Sequence, residues 1–420
     1  MITESNIMSD NPSRQKLYVD FLLVYLLLFV SGTWWYNLLG DKALVMAFSA
    51  VLVLWYLYSD RKLNDRFLLY VIIFTGSLFT ISLYTHGSLS IPSIIASAMK
   101  LMLAYLVLKT VGKRFIGTYL TVLVFLSIIS LFGYITDQYN LLDGIVYRLP
   151  AVGNMGYEGI FYVYRFSWQI DRNNGIFFEP GAYQGFLNAG LFLLFFADAG
   201  FSKKKTWIYI GIVLTTLITT FSTTGYMILS MLLILAFIRS KLLSRSEKAM
   251  LFGFAVLIVS ALSAQFYSTF VVKVSDYLSA NEYDFGYSAQ NRSSDAKTDL
   301  KVFSKHIFGL GYHDYEKEFG ILGRVGSERG YSSNGVTRML ATYGLPFSLF
   351  IFGSYYWALR RVLKDFLLTT GAFVMFMLFL AGESYYMMSS ICFAIISAPF
   401  VIERTFLVKS KPAQCKVGLQ

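Results

Sequence analysis

The sequence predicts an all-α polytopic integral membrane protein with about twelve transmembrane helices and two long ordered loops on one side. Three observations predict it. Of 420 residues, 56% are hydrophobic and only 15% are charged, whereas a soluble domain averages roughly 45–50% apolar and about 25% charged. Mean hydropathy is +0.55. Apolar stretches of about 20 residues, the length that crosses a bilayer, recur along the chain. So few charges cannot cover a water-facing body of this size, which excludes a soluble enzyme, a nucleic-acid-binding domain and a disordered chain. The formal charge of +11 would suggest nucleic acid on a soluble protein; here it reports orientation.

The expected spans, in order, are 17–38, 43–59, 66–84, 91–110, 115–136, 180–199, 206–222, 224–238, 249–271, 334–357, 365–382 and 386–403. The seventh and eighth meet at the short turn Phe221–Gly225, where one broken helix is the alternative reading. The organisation is then a tail (1–16), five spans (17–136), a first long loop (137–179), four spans (180–271), a second long loop (272–333), three spans (334–403) and a second tail (404–420).

Basic residues test the alternation. With the N-terminus cytoplasmic, the inner segments carry Arg14 and Lys16; Arg61, Lys62 and Arg66; Lys109, Lys113 and Arg114; Lys203, Lys204 and Lys205; Arg239, Lys241, Arg245 and Lys248; Arg360, Arg361 and Lys364; and Arg404, Lys409, Lys411 and Lys416. The short outer turns carry only Lys42. That asymmetry places both termini inside. The first apolar stretch is too long for a signal peptide and lacks a small-residue cleavage site. Cys392 and Cys415 fall in the last span and the second tail, so no disulfide is expected. Three histidines leave no metal site. No phosphate-binding Walker sequence and no Gly-x-Ser-x-Gly elbow occur.

Polar chemistry concentrates in the two long loops. From Tyr162 to Ile170 apolar residues alternate with Arg165, Ser167 and Gln169, a half-buried strand pattern. Asn174-Gly175 is a turn signal, so a small hairpin is expected. Pro180 suits a first helical position, which puts Glu179 at the mouth of the sixth span, where a carboxylate is favoured. Glu179 reads either as a helix cap or as a partly buried catalytic carboxylate beside Arg172. In the second loop Ala296, Leu300, Phe303 and Ile307 repeat at helical spacing. They predict an amphipathic helix capped by Ser293 or Ser294 and ended by Gly309-Leu310-Gly311.

Arginine's planar fork grips phosphate and carboxylate in a bidentate way. Arg148, Arg165, Arg172, Arg292, Arg324, Arg329 and Arg338 are the outer arginines, and two or three of them are expected to touch an anionic ligand. Lys100 lies mid-span, where a charge marks function by default; its plainer roles are a structural ion pair or snorkelling. Glu383 and Asp20 lie near span ends and read as interfacial.

Three blocks resemble the Wzy-type polymerases of O-antigen and exopolysaccharide repeat units, within the superfamily that includes O-antigen ligases. "RNNGIFFEPGAYQG" (172–185) resembles that family's Arg-x-x-Gly-x-Phe-x-Glu-Pro block. The stretch 291–319 is similar to its large-loop Arg, helix and Gly-x-Gly region. "YSSNGVTRMLATYGLPFSLFIF" (331–352) resembles the span that follows. Arg148 to Gly159 and Arg324 to Gly335 also fit an Arg-x10-Gly spacing described for the family. The ligase branch typically has a His where this chain reads Ser332-Ser333-Asn334, which favours polymerase.

The resemblance implies a GT-C-like membrane glycosyltransferase scaffold in a bacterial inner membrane. It implies joining of oligosaccharide repeats carried on undecaprenyl diphosphate, with no metal or other cofactor. The partners it implies are those lipid-linked glycans, membrane lipids and a chain-length regulator, not nucleic acid. Carried onto this chain, Glu179, Arg172 and Arg292 are the expected catalytic residues. Arg165, Arg324, Arg329 and Lys100 are the expected substrate-binding ones. The rival readings are an O-antigen ligase-type transferase and a twelve-span transporter or flippase. The latter would show helix repeats, and the two halves share no similarity.

Overall fold

A computed structural model describes residues 14–401 apart from 140, 142–146, 153–154, 161–162, 167–170, 241–243, 245, 250–252, 254–288, 323–331 and 385–387. The protein is nearly all helical. Fourteen α-helices are described: α1 (Arg14–Phe29), α2 (Trp34–Leu39), α3 (Asp41–Tyr58), α4 (Asp65–Tyr84), α5 (Ile91–Val111), α6 (Phe115–Gln138), α7 (Pro180–Phe196), α8 (Lys203–Thr219), α9 (Thr223–Arg239), α10 (Ala289–Lys305), α11 (Tyr312–Leu322), α12 (Gly335–Leu363), α13 (Phe366–Gly382) and α14 (Ser390–Val401). Four helical stretches are long and apolar enough to cross a membrane: 41–58, 65–84, 91–138 and 335–363. The stretch 91–138 turns back at Gly112 and holds both α5 and α6. Shorter apolar helices, among them α9, α13 and α14, accompany them.

Contacts at helix ends fix which ends lie together. Arg114 before α6 pairs with Asp20 in the first turns of α1. Asn64 before α4 bonds to Phe400 in α14, and Arg239 ending α9 pairs with Asp365 before α13. At the opposite end Ile391 of α14 donates to Ser31 after α1, and Asn173 before α7 donates to Thr219 of α8. Consecutive helices therefore alternate in direction. The end that carries residues 172–179 before α7, together with α10 and α11, is the loop end, and the other is the basic end.

α5 is the central strut. It packs on α1, α3, α4 and α14, and from Leu101 to Val111 nearly every side chain is buried, as expected of a helix apolar all round. α4 is one-sided. Phe67, Phe74 and Leu78 point inward, while Leu69, Ile72, Ile73, Phe79 and Leu83 are exposed. An exposed apolar strip of this size suits lipid.

Several expectations are corrected. The first span, expected at 17–38, stops at Phe29. The chain then leaves the helix so that Thr33 forms a β-bridge with Phe177, and α2 starts afresh on a Thr33 cap. At 221–225 there are two helices, as the reading of two separate stretches expects, because Ser222 caps α9 by accepting from Gly225 N. The chain is not purely helical. A three-stranded antiparallel sheet, β1 (Tyr147–Val152), β2 (Met155–Ile160) and β3 (Val163–Phe166), lies in the first loop. Of the alternating stretch 162–170 only β3 is described as strand, and it pairs with the upstream β2. Ser293 and Ser294 fall inside α10, which starts at Ala289. Most of the expected span 249–271 lies outside the described residues, as does the tail 404–420.

The tenth span is revised most. α12 breaks at Gly344, whose φ of 79° and ψ of 170° are not helical. Gly335 lies against Leu380 and Ser384 at the loop end of α13. Residues 341 and 342 lie against Leu310 and Gly311, and Gly311 rests on Thr85 and Ser88 at the loop end of α4. Both ends of 335–343 thus stand at loop ends of other helices, so this segment lies across the loop end of the bundle. Residues 345–363 are long enough to cross: at 1.5 Å per residue they rise about 28 Å, close to the roughly 30 Å of a hydrocarbon core.

Candidate functional site

The block 172–180 is folded as a buried turn between helix ends. Asn173, which is buried, carries it. Its amide nitrogen donates to Ser130 Oγ of α6 (3.1 Å) and Thr219 Oγ1 of α8 (3.0 Å). Its side-chain oxygen accepts from Gly175 N at 3.0 Å, and its backbone N donates to Thr219 O at 2.9 Å. Buried polar groups need such partners. Gly175 has a φ of 54°, and a methyl on it would lie 2.8 Å from the Tyr183 ring, so glycine is required there. The Asn174-Gly175 turn is therefore not a hairpin loop; it is held inward by Asn173, which bonds to α6 and α8, while Asn174 Nδ2 donates to Phe177 O. Phe177 stacks on Tyr183 and Phe186 of α7. Trp34 N donates to Ile176 O and Phe178 N to Gly32 O.

The two predicted site residues in this block stand at its two ends. Arg172 is half-buried, and its Nε donates to Thr220 O, the end of α8, at 3.0 Å. Its charge also acts on the Tyr226 hydroxyl near the start of α9. Glu179 occupies the N-cap of α7 in an extended conformation, but its side chain makes no capping hydrogen bond. The carboxylate is thus not used as a cap, although it sits where the helix's positive end favours it.

Glu383 was not singled out from the sequence, where its place near a span end reads as interfacial. It is 4% exposed, directly after α13. A methyl on Gly181, in the first turn of α7, would collide with Glu383 Oε1. A buried carboxylate therefore lies against the N-terminus of α7, two residues from Glu179. The partial positive charge of that helix end favours a carboxylate there. Asp20 likewise reads as interfacial and is buried, with Arg114 Nε at 2.6 Å from its Oδ2.

Beside α13 and α7 stands the start of α12. Asn334 caps it, accepting from Val336 N and Thr337 N. Ser333 donates through N and Oγ to Asp295 Oδ2. Asp299, fully buried, accepts from Tyr315 Oη (2.7 Å) and Thr337 Oγ1 (2.6 Å). Ser332 N in turn donates to Tyr315 Oη. Burial pushes the Asp299 carboxyl up to about 6, against the hydrogen bonds that favour its charged form and with the nearby Asp295 charge adding to the rise. Burial and the Asp299 charge push the Tyr315 hydroxyl up as well. Arg338 lies over the rings of Tyr312 and Tyr315, so it braces α11 against α12.

The remaining predicted residues are dispersed. Arg292 is on α10, three residues before Asp295. Arg165 is on β3, where strand register puts it opposite Glu158, itself opposite Arg148 on β1. Arg324 and Arg329 lie outside the described residues. Lys100 is on α5, which packs on α3, and the charge of Asp41 at the start of α3 acts on it. Among the described residues no group of three or more His, Cys, Asp or Glu side chains is placed to hold a metal.

No protein-family model matches the chain, and no curated protein matches it either. What the site can do follows from its own residues. A guanidinium, a carboxylate held out of capping duty and a second, buried carboxylate stand at helix ends just above an apolar bundle.

Proposed function

We propose that the protein is a membrane glycosyltransferase of the Wzy type. It joins oligosaccharide repeats carried on undecaprenyl diphosphate and releases undecaprenyl diphosphate. The observation that carries this reading is the placement of Glu179. The block that resembles the polymerase family holds this carboxylate at the mouth of α7, not engaged in capping, with Arg172 seated at the end of α8.

In the proposed reaction a sugar hydroxyl of the incoming repeat attacks the reducing-end sugar of the growing chain. Glu179 takes the hydroxyl proton as general base. Arg172 and Arg292 stabilise the negative charge that develops on the departing diphosphate. Arg165, Arg324, Arg329 and Lys100 are assigned to holding the lipid-linked substrate. Glu383 fixes the start of α7 and so the direction of Glu179.

The finer architecture belongs to the same proposal: twelve crossings on a GT-C-like scaffold, with both termini cytoplasmic and the loop end facing outward in a bacterial inner membrane. Two observations support it. α9 ends at the basic end and α10 rests at the loop end, as the proposed ninth crossing requires. Lys109, Arg114, Lys203, Arg239 and Arg360 gather at the basic end, as the positive-inside rule requires of a cytoplasmic face.

Glycan analysis of a strain lacking the protein tests the function. Single-repeat glycan supports a polymerase. Unattached lipid-linked polymer would point to a ligase, and repeats trapped on the cytoplasmic side to a flippase.

A further inference from the structure

The joint between α10 and α12 has a consequence independent of the proposed activity. Breaking α12 at Gly344 strips helical partners from its carbonyls and amides, and an unsatisfied backbone group is costly in an apolar setting. Residues 307–311 supply replacements. Leu310 N donates to Ala341 O (3.2 Å), Gly311 N to Thr342 O (2.9 Å), and Leu345 N to Ile307 O (2.8 Å). Gly309 permits the approach, since a methyl on it would lie 2.6 Å from Gly344 N. The backbone of 307–311 is therefore clamped to the top of the crossing segment.

That clamp leaves two large apolar side chains protruding. Ile307 is 50% exposed and Phe308 60% exposed. Neither stands alone. The Phe308 ring lies 6.0 Å from that of Tyr84, the last residue of α4. Leu83 of α4, together with Leu345 and Leu349 of α12, is exposed beside the same joint. These belong to the apolar surfaces of two crossing helices, and Leu345 opens the crossing segment. The pair is thus continuous with the lipid-facing surface, at the level where it ends. The polar limit follows at once, with Lys305 paired to Glu318 at 3.0 Å and exposed.

We propose that Ile307 and Phe308 insert into the membrane leaflet at the loop end and seat the α10–α11 cap on lipid. An aromatic and a branched aliphatic side chain on a rigid turn form an interfacial wedge, and the adjoining lysine marks the water side.

Spin labels test this in the full-length protein in phosphatidylcholine–phosphatidylglycerol vesicles. Ile307→Cys, Phe308→Cys, Lys305→Cys and Leu349→Cys are each made in a Cys415→Ser chain, with the unsubstituted chain as the control for buried Cys392. Accessibility to oxygen and to a water-soluble nickel chelate is read at each site. Labels at 307 and 308 are expected to be reached by oxygen and shielded from nickel, as at 349, while the label at 305 is reached by nickel. Nickel access at 307 and 308 equal to that at 305 overturns the proposal. Shielding from both reagents also overturns it, because protein and not lipid would then cover the pair.

Discussion

The Glu383 carboxylate lies against the backbone of Gly181, so closely that a methyl on Gly181 would collide with Glu383 Oε1. This contact joins the end of α13 to the start of α7, and the start of α7 carries Glu179. Overpacking a tight contact costs about 1–3 kcal/mol. Gly181→Ala is therefore expected to lower the thermal unfolding temperature of the detergent-solubilised protein. Shortening the opposing side chain in Gly181→Ala/Glu383→Ala is expected to restore part of the loss. A Gly181→Ala protein as stable as its parent would show that the two groups are not in contact.

Asn173 ties the 172–180 turn to α6 and α8 through both ends of its amide. Replacing it by Ala leaves Gly175 N and its hydroxyl partners short of a bond, at about 1–3 kcal/mol. Asn173→Ala should unfold earlier than the parent and become sensitive to proteolysis before α7. Asn173→Asp keeps the acceptor for Gly175 N but loses both amide donors, so it should unfold earlier than the parent and later than the Ala variant. An unchanged Ala variant would contradict the turn's hydrogen bonding.

Gly344 holds a backbone conformation that side chains rarely adopt, and a methyl there would also collide with the Phe308 carbonyl. Such strain costs of order 1–3 kcal/mol. Gly344→Ala should reduce folded yield, whereas Gly353→Ala, in the same helix with open space around it, should not. Equal yields from the two would argue against the break.

Asp299 makes stability depend on pH. Its carboxyl in the folded protein is raised to about 6, above the unfolded value of about 3.9. Between those values the folded state binds more protons than the unfolded one, so stability falls as pH rises. The contribution of this group is complete below about pH 4 and lost above about 6. Thermal unfolding at pH 5 and pH 7.5 should show that drop in the parent, and Asp299→Asn should flatten it. A variant that keeps the full drop would assign it to another group.

Much of the helical frame is legible in the sequence because apolar length is a strong signal. α3, α4, α5 and α6 fall within a few residues of the stretches read from it. What local pattern cannot show is where a helix is interrupted by a distant contact. α1 ends early because Thr33 pairs with Phe177, and α12 breaks because residues 307–311 replace its own hydrogen bonds. Both depend on partners far away in the chain. The site divides in the same way. Glu179 at a helix mouth follows from Pro180. Glu383 and Asp299 do not stand out, since their burial comes from Gly181, Tyr315 and Thr337, which lie on other elements.

The proposed glycan elongation rests on Glu179 and Arg172 at the loop end. The most direct test is elongation of an undecaprenyl-diphosphate-linked repeat by purified protein in vesicles, read as a ladder of products. The parent should build the ladder without added metal or nucleotide sugar. Glu179→Ala and Arg172→Ala, reconstituted in equal amount, should leave the single repeat. A full ladder from either variant would contradict the assignment of that residue, and no ladder from the folded parent would contradict the proposed function.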